Sequence, residues 1–132
     1  MKGIDSNVLL RYLMNDDPHQ SEHARAFMSS LTTDHPGYIN LIVLIETVWV
    51  LRHHYKIHRD IMLSTIAGLL NVPSLLFQHD EEIRQALRLC QHQGVDLPDA
   101  LLTRINQSAG CHETVTFDLT ATRLQHMSLL DL

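Results

Sequence analysis

Met1-Lys2-Gly3-Ile4-Asp5-Ser6-Asn7-Val8-Leu9-Leu10-Arg11-Tyr12-Leu13 is the stretch on which the reading of the fold turns. Met1 to Ile4 reads as a very short strand. Asp5-Ser6-Asn7 stops it, because these three side chains can each bond the free backbone N–H groups at a helix start. The helix they cap carries Val8, Leu9, Leu10, Tyr12 and Leu13. A strand, a carboxylate and a helix therefore follow one another directly.

The same alternation continues outward. Asn15-Asp16-Asp17-Pro18 predicts a turn, and a second helix runs from about His19 to Leu31, with Ala24, Phe27, Met28 and Leu31 on one face. His35-Pro36-Gly37 breaks the chain before a short strand at Tyr38-Ile39. Asn40 caps an apolar helix reaching about Tyr55, and another helix spans about Arg59 to Leu70. Leu75-Leu76-Phe77 reads as a strand buried on both faces. Asp80 opens a helix that Gly94 closes, and Asp96 opens one that ends near Ser108 and Gly110. Thr114 to Phe117 is a strand, Asp118 opens a last short helix, and Met127 to Leu130 is an edge strand. Strands alternating with helices predict an α/β fold. The expected form is a three-layer sandwich with a short, mainly parallel central sheet flanked by helices, folded as one domain over residues 1–132.

Composition narrows the function. A formal charge of -5 argues against a module that holds nucleic acid through basic residues alone. It leaves room for a protein whose carboxylates hold cations. Cys90 and Cys111 lie outside any CxxC pattern, and Met1 to Asp5 reaches a carboxylate before any apolar stretch. Free thiols in a reducing cytoplasm follow. The apolar run from Leu41 to Leu51 is broken by Glu46 and Thr47 and is too short to cross a membrane, which takes about 20 residues.

The acids carry the chemistry. Glu46 lies inside Ile39-Asn40-Leu41-Ile42-Val43-Leu44-Ile45-Glu46-Thr47-Val48-Trp49-Val50-Leu51, a helix apolar almost all round, so burial is expected there. A buried, unpaired carboxylate is costly; a pair with Arg52, or a thin polar stripe with Thr47, would explain it without function. Asp5 and Asp118 each follow a strand, and each also has a bland account as a helix cap. Asp96-Leu97-Pro98-Asp99 resembles a capping box. Singly, every one of these acids is explained. Together they end strands, begin a helix or sit mid-helix at the carboxyl edge of a parallel sheet, where sites form. Clustered carboxylates repel, and oxygen-only ligands select hard cations such as Mg²⁺ or Mn²⁺. Two such ions about 4 Å apart activate water and stabilise both oxygens of an in-line displacement.

At these residues the chain resembles the PIN-domain family, and within it the VapC-type toxin ribonucleases. The resemblance rests on four blocks in order: Gly3 to Leu13, Leu44 to Leu51, Asp96-Leu97-Pro98-Asp99-Ala100-Leu101-Leu102 continuing to Ala109-Gly110-Cys111, and Val115-Thr116-Phe117-Asp118. It implies that Asp5, Glu46, Asp99 and Asp118 hold Mg²⁺ (with Mn²⁺ a possible substitute) and are catalytic. Asp96 matches an accessory acid, and Ser6 and Asn7 match a polar pair that helps fix the first aspartate. Leu119 departs from the charged residue that many relatives carry after the last aspartate. The implied activity is endonucleolytic cleavage of RNA phosphodiesters by metal-activated water. The implied partners are an RNA substrate and a cognate antitoxin protein.

Other features have plainer accounts. His19 and His23, like His54 and His58, share i, i+4 spacing without an evident third ligand and read as surface histidines. Arg52 to Arg59 reads as a solvated helix end. Apolar helices around Leu9, Trp49 and Leu101 predict self-association. Two other functions compete. A non-catalytic RNA-binding PIN-like module would not need all four acids. A receiver-like phospho-acceptor domain wants a late lysine, whereas Lys2 and Lys56 are the only lysines here.

Overall fold

The structure, a computed structural model, describes residues 1–130. It is an α/β protein in which short parallel strands are flanked by helices. Its contacts divide into two compact units, Met1–Gln78 and the segment from His79 onward.

The first unit contains β1 (Lys2–Gly3), α1 (Ser6–Met14), α2 (Pro18–Ser30), β2 (Gly37–Ile39), α3 (Leu41–His53), α4 (Arg59–Leu70) and β3 (Leu75–Phe77). Its three strands lie in the order β1-β2-β3 and are all parallel. Lys2 is opposite Gly37, and Gly37 opposite Leu75. Bonds from Ile4 N–H to Tyr38 O (2.9 Å) and from Gln78 N–H to Ile39 O (3.0 Å) carry the ladder past the strand ends. Gly37 has no room for a side chain: a Cβ there would lie 2.6 Å from Ile4 Cδ1 and 2.9 Å from Leu31 Cδ1.

Local chemistry sets the helix boundaries. Asp17 accepts from Gln20 N–H at 3.1 Å with Pro18 in the first turn, and Asn40 Oδ1 accepts from Val43 N–H at 2.9 Å. Asn15 ends α1 in the left-handed region, at φ 52°. Leu9, Ile39, Leu44, Leu51 and Ile66 are fully buried. Leu75 and Phe77 are buried but Leu76 is 47% exposed, so β3 is not the doubly buried strand its apolar run suggests. Successive side chains on a strand face opposite ways, and β3 is an edge strand, covered on one side.

The second unit contains α5 (Asp80–Gln93), α6 (Leu97–Ser108), β4 (Thr114–Thr116), a 3₁₀ turn (Thr120–Arg123) and β5 (Met127–Leu129). Strand β5 does pair, parallel to β4, with Thr114 opposite Met127, so the strands form two small sheets rather than one continuous ladder. Helices α5 and α6 pack together, and Ile83, Ala86, Leu87, Ala100 and Leu101 on them are buried. Gly94 closes α5 at φ 67°, a left-handed position that glycine takes without strain. Among the described residues Cys90 and Cys111 form no disulfide; Cys90 is buried and Cys111 exposed. Among the described residues, no helix is long and apolar enough to cross a membrane.

Candidate functional site

In the first unit the parallel register brings the carboxyl ends of β1 and β2 to one edge of the sheet. Asp5 lies just past β1, exposed, as the N-cap of α1; its Oδ2 accepts from Asn7 N–H at a long 3.4 Å. Ser6 opens α1 and is buried, and its hydroxyl donates to Glu46 Oε2 at 2.7 Å. Helix α1 packs on α3, which brings its first residue to the middle of α3. The polar pair after the first aspartate therefore divides its work: the Asn7 backbone serves Asp5, and the Ser6 hydroxyl serves Glu46.

Glu46 corrects an expectation. It is exposed, not buried, and shares one face of α3 with exposed Ile42 and Trp49. Arg52 is not its partner, because Arg52 Nη1 donates to Ile57 O at 2.7 Å and closes the helix end. Among the described residues Glu46 makes no ion pair, which removes the structural salt bridge as its explanation.

In the second unit, Asp96 is the N-cap of α6 but makes no side-chain capping bond, so the capping-box account of Asp96 and Asp99 does not hold. Asp99 stands in the first turn of α6, half-buried. Burial raises its carboxyl above the usual range, and the charges of Asp96 and Asp118 raise it further. Among the described residues no side chain or backbone N–H donates to its carboxylate, and no cation lowers its pKa. Asp118 lies just beyond β4; its Oδ1 accepts from Thr120 N–H at 2.9 Å, while its own N–H donates to Thr116 Oγ1 at 3.0 Å.

Each unit thus holds carboxylates past the end of a strand. Among the described residues, no group of three or more His, Cys, Asp or Glu side chains is drawn together around one ion position. The donor set itself fits a hard divalent cation: every candidate donor is a carboxylate oxygen, and Asp99 is crowded by like charge with no cation among the described residues to offset it. The histidine pairs behave as surface residues, His19 and His23 meeting edge to face at 4.7 Å.

Sequence reading missed two features. One is the cluster of Arg11, Asp16 and Tyr55, in which Arg11 Nη1 lies 3.2 Å from both Asp16 Oδ1 and Tyr55 Oη and the Tyr55 hydroxyl donates to Asp16. Its members are far apart in sequence and carry no common spacing. The other is a concavity on α5 and α6 lined by Arg88, His92 and Arg104, for which the i, i+4 spacing of Arg88 and His92 was the one available signal.

The PIN-domain family model matches residues 3–126. No curated protein matches the chain.

Proposed function

The chain belongs to the PIN-domain family, a family of metal-using nucleases, and from that premise we propose that it is a Mg²⁺-dependent endoribonuclease, the toxin of a toxin–antitoxin pair. Asp5, Glu46, Asp99 and Asp118 hold the ion or ions in this reading, and Asp96 adds negative charge beside Asp99. The bound ions supply a water acidic enough to attack phosphorus at neutral pH and charge to stabilise the departing oxygen. The chain's own residues do the positioning. Ser6 Oγ fixes one Glu46 oxygen at 2.7 Å and leaves the other as a donor to metal. The Thr120 N–H holds Asp118 Oδ1 in the same way.

The observation that carries the reading is Asp99, a partly buried carboxylate pressed by Asp96 and Asp118 and given no cation by the described residues. Such an arrangement is costly for a structural residue and suited to a metal ligand. The family match runs through both units, which supports reading residues 1–132 as one nuclease domain. The exposed thiol of Cys111 supports a cytoplasmic location. A homodimer or an antitoxin complex is proposed on the exposed face of α3, where Ile42 is 68% and Trp49 60% exposed; Leu9 and Leu101 are core residues and take no part. The family assignment displaces the receiver-like reading.

The test is cleavage of RNA with Mg²⁺, with Mn²⁺ and in excess chelator, wild type beside Asp5→Asn. Cleavage that needs metal and disappears in the variant supports the reading. Full activity in chelator rejects the metal mechanism, and RNA binding without any cleavage leaves the non-catalytic module.

A further inference from the structure

Helices α5 and α6 enclose an open cavity of about 330 Å³ lined by Gln85, Arg88, Leu89, His92, Gln93 and Arg104. No acid lines it. The acids of α5 (Asp80, Glu81 and Glu82) all lie in its first turn, and Arg84 is taken by Asp80 at 2.7 Å. Arg88 is exposed and, among the described residues, makes no ion pair. Arg104 comes from the other helix. Its Nη1 donates to Gln107 Oε1 at 3.1 Å, but its Nε–H is buried and has no partner among the described residues.

The helix dipole accounts for a cation such as His92 at the end of α5. It does not account for Arg104, which is well inside α6, nor for a buried guanidinium N–H left unpaired. That group costs free energy unless an acceptor reaches it. Two guanidiniums, one with an unused donor, and two amide side chains around a small cavity are the equipment of an oxyanion site. The planar fork of arginine suits tetrahedral phosphate in particular.

We propose that this cavity binds a backbone phosphate of the RNA strand, away from the bond that is cut. The proposal rests on the endoribonuclease reading for the identity of the strand. Arg104 follows Asp99 by five residues on α6, about 7.5 Å along the helix axis and roughly 140° around it, so a strand with its reacting phosphate at Asp99 reaches the cavity by passing around α6. A protein of net charge -5 whose acids face the reacting phosphate needs cations elsewhere to hold a polyanion. Arg88 and Arg104 are positioning residues in this account; they touch the strand and not the reacting atoms.

The experiment uses Arg88→Gln, with Arg88→Lys as the charge-preserving control, and a labelled 12-nucleotide RNA. Binding is read by fluorescence anisotropy across a salt series in Mg²⁺, in the uncleaving Asp5→Asn background. Losing one phosphate contact lowers the slope of log K against log salt by about 0.7 for a single strand. The expected result is that loss with Arg88→Gln and its recovery with Arg88→Lys. In the cleaving protein KM rises roughly three- to tenfold while kcat stays within about twofold. An unchanged slope and KM overturn the site even when wild type cleaves RNA. A changed slope in a protein that never cleaves RNA sustains the site and rejects the nuclease reading. Side-chain NMR of the Arg88 and Arg104 guanidiniums separates the sources: shifts with RNA support the proposal, and shifts with inorganic phosphate alone reject it.

Discussion

Ser6 Oγ and Glu46 Oε2 are joined by a 2.7 Å hydrogen bond between residues forty positions apart, so the first residue of α1 orients an acid in the middle of α3. A serine beside an aspartate thereby acts on a glutamate instead.

Ser6→Ala removes that orientation while leaving every proposed ligand in place. Groups that hold a metal ligand typically contribute ten- to a hundredfold in metal affinity or activity. The Mg²⁺ concentration for half-maximal cleavage should rise by about that factor, and the loss should be partly recovered at high Mg²⁺. A Mg²⁺ titration of cleavage rates measures it; an unchanged midpoint means that Ser6 is only a packing residue.

Glu46→Gln should abolish cleavage with little effect on stability. The side chain is exposed, has no ion pair among the described residues, and the amide oxygen can still accept from Ser6. Exposed substitutions of this kind stay within about 0.5 kcal/mol. Thermal melts in chelator decide, and a large drop in Tm would point to a buried partner that the structure does not contain.

Asp99→Asn should raise the Tm of the metal-free protein at neutral pH. The folded-state pKa of Asp99 is raised by burial, by Asp96 and by Asp118. An acid shifted upward destabilises the fold once ionised, and the penalty is full above its folded pKa. It fades as pH falls through that value and is gone below the ordinary value of 3.8. The advantage of Asn over Asp should therefore shrink in acid, as melts at pH 7 and near pH 4 would show. Mg²⁺ should stabilise wild type more than the variant, because a ligand that binds the folded state raises its stability.

Tyr55→Phe tests the cluster outside the candidate site. The Tyr55 hydroxyl lowers the pKa of Asp16, and Asp16 raises that of Tyr55. Stability from a lowered acid is present above its ordinary 3.8 and is lost as pH falls through the folded value. Stability from the raised phenol is present below 10.0 and is lost as pH climbs through its folded value. Tyr55→Phe should melt below wild type at pH 7, and the two curves should converge at both extremes.

Much of the fold is legible in short signals. Asp17-Pro18, Asn40 and Gly94 mark helix ends by local bonding or backbone freedom, and the structure puts boundaries at each. The burial of Glu46 was misread because α3 is apolar nearly all round, so its period does not say which face meets the core. Leu76 was misread because three apolar residues in a row look the same whether one face or both are covered. The family blocks named the acids. The Ser6–Glu46 bond and the Arg11–Asp16–Tyr55 cluster depend on helices meeting in space, and no local pattern encodes that.

Gly37 has a consequence for conditional genetics. The atoms a Cβ would strike, Ile4 Cδ1, Leu31 Cδ1 and Leu75 Cδ2 at 3.2 Å, are the yielding ends of side chains rather than backbone. Ile4 is the neighbour of Asp5, so a methyl group pushed into the centre of the sheet presses on the residue that carries the first acid. Gly37 is therefore the natural position for a temperature-sensitive allele: Gly37→Ala is tolerated where stability is ample and fails on warming, turning heat into an off-switch at a residue that is itself none of the candidate ligands.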